Sequence, residues 1–230
     1  MPRQAREVEA GFPMHVTQRG NHRQNIFHDD DDKEFYIKNF LFYRRRYKIK
    51  LYAWALMDNH IHFVVEPSSR TGLSKLFQAL NTKYVFYYNN KYEVSGRLFE
   101  SRFFSCILDE SHFFEAIRYV ELNPIRAGME DFPGKYKWTS AMERLKLRSK
   151  YYLHKLPHFM VIDDWMGFLV EDEIEMDKWN SIREKTITTK LVGAWLSVCL
   201  TVFFLSLLNL SSLNLCNANN SSTTSCFYSF

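Results

Sequence analysis

Cysteine is scarce. Four occur in 230 residues, at 106, 199, 216 and 226, and no two are spaced as CxxC. That excludes both a disulfide framework and a zinc knuckle. An apolar run is missing from Met1 to Glu9, which is charged, so no secretory signal is read and a cytoplasmic start is expected. A dominant charge is missing too. Thirty Lys+Arg against 26 Asp+Glu give a formal +4, mildly basic and unlike a histone. Charge disappears altogether after Lys190, leaving residues 191–230 without one ionic side chain. No internal repeat and no low-complexity segment marks the body. What is abundant is apolar: 46% hydrophobic and 17% aromatic residues are ample for a packed core and exclude disorder over most of the length.

Along the body the elements read clearly. Pro13–Gly20 has β-forming residues ending at a glycine, and predicts a first strand. The acids Asp29–Asp32 then cap a helix carrying Phe35, Ile37, Phe40, Leu41 and Tyr43, which closes on the solvated basic run Arg44–Arg46. Leu51–Met57 is a nearly continuous apolar run, as expected of a strand buried on both faces. Asp58-Asn59 predicts a tight turn into Ile61–Val65. A second helix is read from Leu73 to Asn89, a strand region over Arg97–Phe99 and Phe103–Leu108, and a third helix from His112 to Leu122. Asp109 or Ser111 caps that helix, and Pro124 and Gly128 end it. This order predicts an α+β domain, a ferredoxin-like or RRM-like antiparallel sheet with helices on one face, plus a helical C-terminal extension. The divisions are 1–145 for the domain, 146–185 for the helical extension and 186–230 for the tail, and residues 130–185 read as mixed helical padding anchored by Trp138, Trp165 and Trp179.

Two small constellations can carry chemistry. His60 and His62 flank Ile61, and on a strand residues two apart share a face, so both imidazoles project together while Ile61 faces the core. Such a pair can hold one divalent ion, although His-x-His also arises by chance. Tyr119 and Asn123 stand four apart on one face of the third helix. Individually they read as a core aromatic and a helix-end cap. Together with the histidines they supply two nitrogens, an amide oxygen and a phenol. The nearest carboxylates are Glu66, on the strand face of His62, and Glu121, directed away from Tyr119. Ligand chemistry alone leaves Zn²⁺ and Ni²⁺ open.

Four blocks occur in order: His15–Asn21 with Arg23–Phe27, Ala55–Phe63, Gly96–Phe103, and Arg118–Gly128. Together they resemble the single-tyrosine HUH transposases, in particular the REP-associated tyrosine transposase branch, over residues 10 to 145. The resemblance implies Mg²⁺ or Mn²⁺ held by His60, His62 and Asn123, with Tyr119 as the nucleophile on single-stranded DNA. The product would be a 5′-phosphotyrosine link and a free 3′ hydroxyl, at hairpin-forming repeats. Covalent capture conserves the phosphodiester energy for strand transfer. Arg19, Arg23, Arg97, Arg102 and Arg126 flank these segments and are expected to contact DNA, with Phe99 and Phe103 available to stack on bases. One tyrosine per domain implies a homodimer. Two rivals are a catalytically silent hairpin-binding regulator on the same scaffold and a metal hydrolase that activates water.

The tail is of another kind. Leu191–Leu208 has eighteen residues without a charge, the threshold for a membrane span, and Lys185 and Lys190 before it would leave the body cytoplasmic. Since the resemblance predicts no anchor, unselected read-through of a disrupted gene end is the preferred reading.

Overall fold

The computed structural model describes residues 8–148, 152–157 and 162–170. They belong to one compact unit spanning Met1–Thr189. Four strands form an antiparallel sheet: β1 (Met14–Arg19), β2 (Ile49–Met57), β3 (His60–Pro67) and β4 (Phe104–Ile107), in the spatial order β2-β3-β1-β4. The helices are α1 (Asp30–Arg46), α2 (Gly72–Tyr92), α3 (Glu110–Arg126) and two short ones, α4 (Ala141–Arg144) and α5 (Trp165–Val170). The α+β, ferredoxin-like architecture is the one the sequence predicts.

Period-two alternation explains the two faces. Ile61, Phe63 and Val65 of β3 and Met14 and Val16 of β1 point into a core shared with α1 and α2, where Phe40 stacks on Phe63. Val64 points the other way and packs with Ala53, Ala55 and the α3 residues Phe113, Ala116, Ile117 and Val120. Helices on one face describes α1 and α2. The third helix lies on the opposite face, where the small Ala53 and Ala55 let it approach the sheet. β2 is buried on both faces as its apolar run predicts, with a register irregularity between Leu51 and Ala53.

The caps are where the acids were expected. Asp29 accepts from the Asp32 amide at 2.9 Å, and Asp109 from the His112 amide at 2.9 Å, each worth about 1 kcal/mol. The end of α3 differs from expectation. Pro124 lies inside the helix, which continues to Arg126. The proline removes only its own N–H, which would have bonded the Val120 carbonyl. Asn123 is therefore a buried helical residue and not an end cap.

The chain after α3 is more than padding. Trp138–Ser140 runs along the outer edge of β2, with Leu56 N donating to the Trp138 carbonyl and Ser140 N to the Trp54 carbonyl, both at 2.9 Å. It thereby covers a sheet edge that would otherwise stand open. Of the described residues beyond 145, only Trp165–Val170 are helical; Trp179 lies outside them. Among the described residues no helix is long and apolar enough to cross a membrane, and Leu191–Leu208 lies outside them.

The loops that follow β1 and precede β4 are sewn to the β2–β3 turn. Gly20 N donates to the Asn59 carbonyl at 2.9 Å, Asn21 N to Leu98 O at 2.8 Å, and Glu100 N to Arg19 O at 3.0 Å. A Cβ on Gly20 would lie 2.2 Å from the Gln24 carbonyl oxygen and 2.9 Å from Ile26, and the backbone atom cannot step aside. Gly20→Ala is expected to lower stability by about 1–3 kcal/mol, read as a drop in the urea midpoint. An unchanged midpoint would mean that the turn repacks without strain.

Candidate active site

The two histidines and the tyrosine meet on the α3 face of the sheet. β3 starts at His60, directly opposite Arg19 of β1, and His62 sits opposite Thr17. The two imidazoles are 4.9 Å apart between ring centres, edge to face. α3 crosses this face with Val120 buried in the core beneath it. One position earlier Tyr119 turns its ring to His62, at 5.3 Å and 89°. One turn further along the same helix is Asn123, buried, whose side chain acts on His60 in the sense that favours its charged form. The structure therefore brings together His60, His62, Tyr119 and Asn123.

A third histidine joins them. His15, one strand over, stacks on His62 with ring centres 5.2 Å apart and Nε2 3.0 Å from the His62 Nδ1. It also meets the Tyr119 ring edge at 6.0 Å. Sequence reasoning had His15 only as part of a motif. The available signal was its i, i+2 relation to Thr17 on a strand, which by itself names no partner.

Glu121 is directed away, as its spacing indicates. It is buried against Ser140 Oγ at 2.6 Å and Trp165 Nε1 at 2.8 Å. Glu66 is engaged by Lys50 and Tyr52, both at 2.6 Å. Neither carboxylate reaches the histidines. Among the described residues no three His, Cys, Asp or Glu side chains are placed to hold a metal, so a cation here would rest on two imidazoles and an amide. That set fits a divalent ion. His62 Nε2 is buried and has no hydrogen-bond partner among the described residues. His60 Nδ1 lies 2.5 Å from Asn59 Oδ1, an acceptor, so its hydrogen is on Nδ1 and its lone pair on Nε2.

The arginines divide. Arg19 raises the positive potential at His60 and His62. Arg126, in the last turn of α3, sets its guanidinium 5.6 Å from the Tyr119 ring centre. Arg23, Arg97 and Arg102 are exposed on the loops stitched to the β2–β3 turn. Phe99 and Phe103 are core residues, 7% and 3% exposed, with Phe103 against Phe77 at 4.6 Å. They are not available to stack on bases. Phe104 is 41% exposed and lies opposite Thr17, on the face that carries His62.

Residues 10–123 match the family model described as Transposase IS200 like. The chain belongs to the IS200-like transposase family. All of the β-sheet segments that form the site lie inside that match, as do Tyr119 and Asn123. A solved REP-associated tyrosine transposase bound to a REP hairpin is similar in fold, with a TM-score of 0.53 at 13% identity over 71% of this chain and 96% of that one. A transposase structure from Deinococcus radiodurans R1 gives 0.37 at 10% identity, over 56% of this chain and 98% of that one. No curated protein matches the chain.

Burial sets the protonation of His15, His60 and His62 in this transposase. It pushes His15 down to about 4, and burial followed by the charge of Arg19 pushes His60 to about 4. His62 is held well below its ordinary value by burial and then by His15, His60 and Arg19. The unfolded chain takes up protons on these rings below about pH 6.5, whereas folded His15 and His60 resist until about 4 and folded His62 resists as well. Stability must therefore rise with pH between those limits. Buried Glu121, raised by burial, acts in the opposite sense. The informative quantity is thus a difference between proteins. Metal-free His60→Asn should lose less thermal stability than the wild type as pH falls from about 6.5 to about 4. Parallel melting curves across that window would contradict the desolvated placement of His60.

Proposed function

We propose that this IS200-like transposase nicks single-stranded DNA and transfers the strand through a 5′-phosphotyrosine intermediate on Tyr119, at hairpin-forming repeats, and that it belongs to the REP-associated branch. The supporting observation is the convergence of the Tyr119 ring on His62, with Asn123 one helical turn away at His60. His60, His62 and Asn123 would hold Mg²⁺ or Mn²⁺. When bound, such an ion supplies charge neutralisation at the scissile phosphate and at the departing oxygen.

The remaining work falls to the chain. The Tyr119 oxygen forms a bond to phosphorus as the bond from phosphorus to the 3′ oxygen breaks. The phenolic proton leaves, and the 3′ oxygen gains one to become a hydroxyl. Rejoining reverses the exchange without ATP. Arg126 over the Tyr119 ring and Arg19 beside His60 flank the place where the phosphate would sit. Arg23, Arg97 and Arg102 extend that basic rim along the neighbouring loops and would engage the backbone. The hairpin in the structure of similar fold makes hairpin DNA the partner of choice. A homodimer would supply the two tyrosines needed to cut two strands.

The test is covalent capture with Mg²⁺ or Mn²⁺ and a library of labelled hairpin oligonucleotides. Tyr119→Phe should bind DNA and form no adduct, while packing changes by less than about 1.5 kcal/mol. His60→Ala and His62→Ala should abolish cleavage and leave most of the binding. Mass spectrometry should find the link in the peptide containing Tyr119. An adduct mapped to Tyr84–Tyr92, or one undiminished in Tyr119→Phe, would overturn the nucleophile assignment. Binding with no adduct under any condition would favour the silent hairpin-binding regulator.

A further inference from the structure

We propose that His15 is a positioning residue for His62: its Nε2 accepts the Nδ1 hydrogen of His62 and so fixes the tautomer in which the His62 Nε2 carries a lone pair. This rests on the reading of His60 and His62 as cation ligands. Both rings are buried, at 3% and 5% exposure, nearly parallel at 7°, with Nε2 and Nδ1 3.0 Å apart. A neutral imidazole carries one N–H and one lone pair, so one ring of the pair must donate and the other accept.

The two arrangements have different consequences at the far nitrogen. If His15 donated, the His62 Nε2 would have to carry the hydrogen. It would then be a buried N–H that meets no acceptor among the described residues, and it would hold its hydrogen where a cation needs a lone pair. If His62 donates, Nε2 carries the lone pair that a cation needs. The neighbouring ring is set the same way, because His60 Nδ1 faces Asn59 Oδ1 at 2.5 Å. Both histidines then present Nε2 as the ligand atom, each held from behind by a different acceptor. Outer-shell partners of this kind fix ring orientation and basicity.

The register makes His15 specific for this task. It stands opposite Val64, and thus diagonal to His62 across the β1–β3 pair. A shift of one residue would exchange it with Met14 or Val16, which belong to the other face.

Two readouts on the full chain test the proposal. In metal-free protein with ¹⁵N-labelled histidine, two-bond ¹H–¹⁵N correlation spectra should show His62 protonated at Nδ1 and bare at Nε2. His15→Phe, which keeps a flat ring and removes the acceptor, should lose that preference. His15→Gln, whose amide oxygen can accept, should restore it. Calorimetric titration with Mn²⁺ alone should then show affinity weakened by ~10–100-fold in His15→Phe and largely recovered in His15→Gln. A wild-type His62 protonated at Nε2 overturns the proposal, and that spectrum decides even if His15→Phe fails to fold. Unchanged tautomer and Mn²⁺ affinity in a folded His15→Phe overturn it as well. The predicted tautomer in a wild type that takes up no Mn²⁺ would instead sink the metal reading and leave the His15–His62 hydrogen bond standing.

Discussion

The alternation along β3 is the constraint on which the rest depends. Ile61, Phe63 and Val65 are completely buried on the α1–α2 side, each contributing about 1.5–3 kcal/mol through burial. His60 and His62 occupy the other side by necessity, because a strand repeats every two residues. A one-residue slip would drive both imidazoles into the apolar core and turn three large side chains toward α3. Core burial therefore fixes the register, and the register fixes the histidines. The two-residue turn at Asp58-Asn59 and the hydrogen bond from Gly20 N to Asn59 O hold the open end of the strand at the same setting.

A second periodicity must then be brought into phase with the first. Along α3, Phe113, Ala116, Ile117 and Val120 face the sheet, and the rotation of the helix carries Tyr119 and Asn123 to the side where the histidines lie. Glu121 emerges on the opposite side, where Ser140 and Trp165 hold it. Those two anchors come from the chain beyond the helix. Ser140 also accepts from Trp54 N of β2 at 3.0 Å. One carboxylate thus links α3, the outer edge of β2 and α5. A buried acid has to be fully hydrogen-bonded to be tolerable, so its network also constrains the helix that carries the tyrosine.

How much of this was legible depends on range. The caps at Asp29 and Asp109, the hairpin at Asp58-Asn59 and the shared face of His60 and His62 follow from local periodicity and local hydrogen bonding, and each is where the sequence places it. That β2 is covered on both faces was legible in its apolar run, but what covers the second face was not. Whether α3 joins α1 and α2 or lies opposite them depends on the small Ala53 and Ala55 of β2, and alanine in an apolar run announces no partner. Pro124 misled because a proline in the last turn breaks only one hydrogen bond and need not end a helix. Phe99, Phe103 and Phe104 illustrate the same limit: neighbouring phenylalanines look interchangeable in sequence, yet Phe99 and Phe103 pack into the core while Phe104, the first residue of β4, is exposed. His15 was hidden because its partner is 47 residues away.

Electrostatics at the site is settled by burial more than by neighbouring charge. Arg19 is exposed, so water and salt screen much of its field, whereas His15 and His62 lie almost entirely out of solvent. Desolvation acts on each ring separately, and the mutual repulsion that would follow from protonating two adjacent rings adds to it. Both influences, and Arg19 with them, favour the neutral imidazole. That is the form with a lone pair to offer, and at neutral pH it exists here without any carboxylate to assist it. The positive charge of the region is consequently carried by arginines at its border and not by the histidines within. The region thus has fixed guanidinium charges at its rim and uncharged imidazoles at its centre, a separation that follows directly from which side chains the sheet buries.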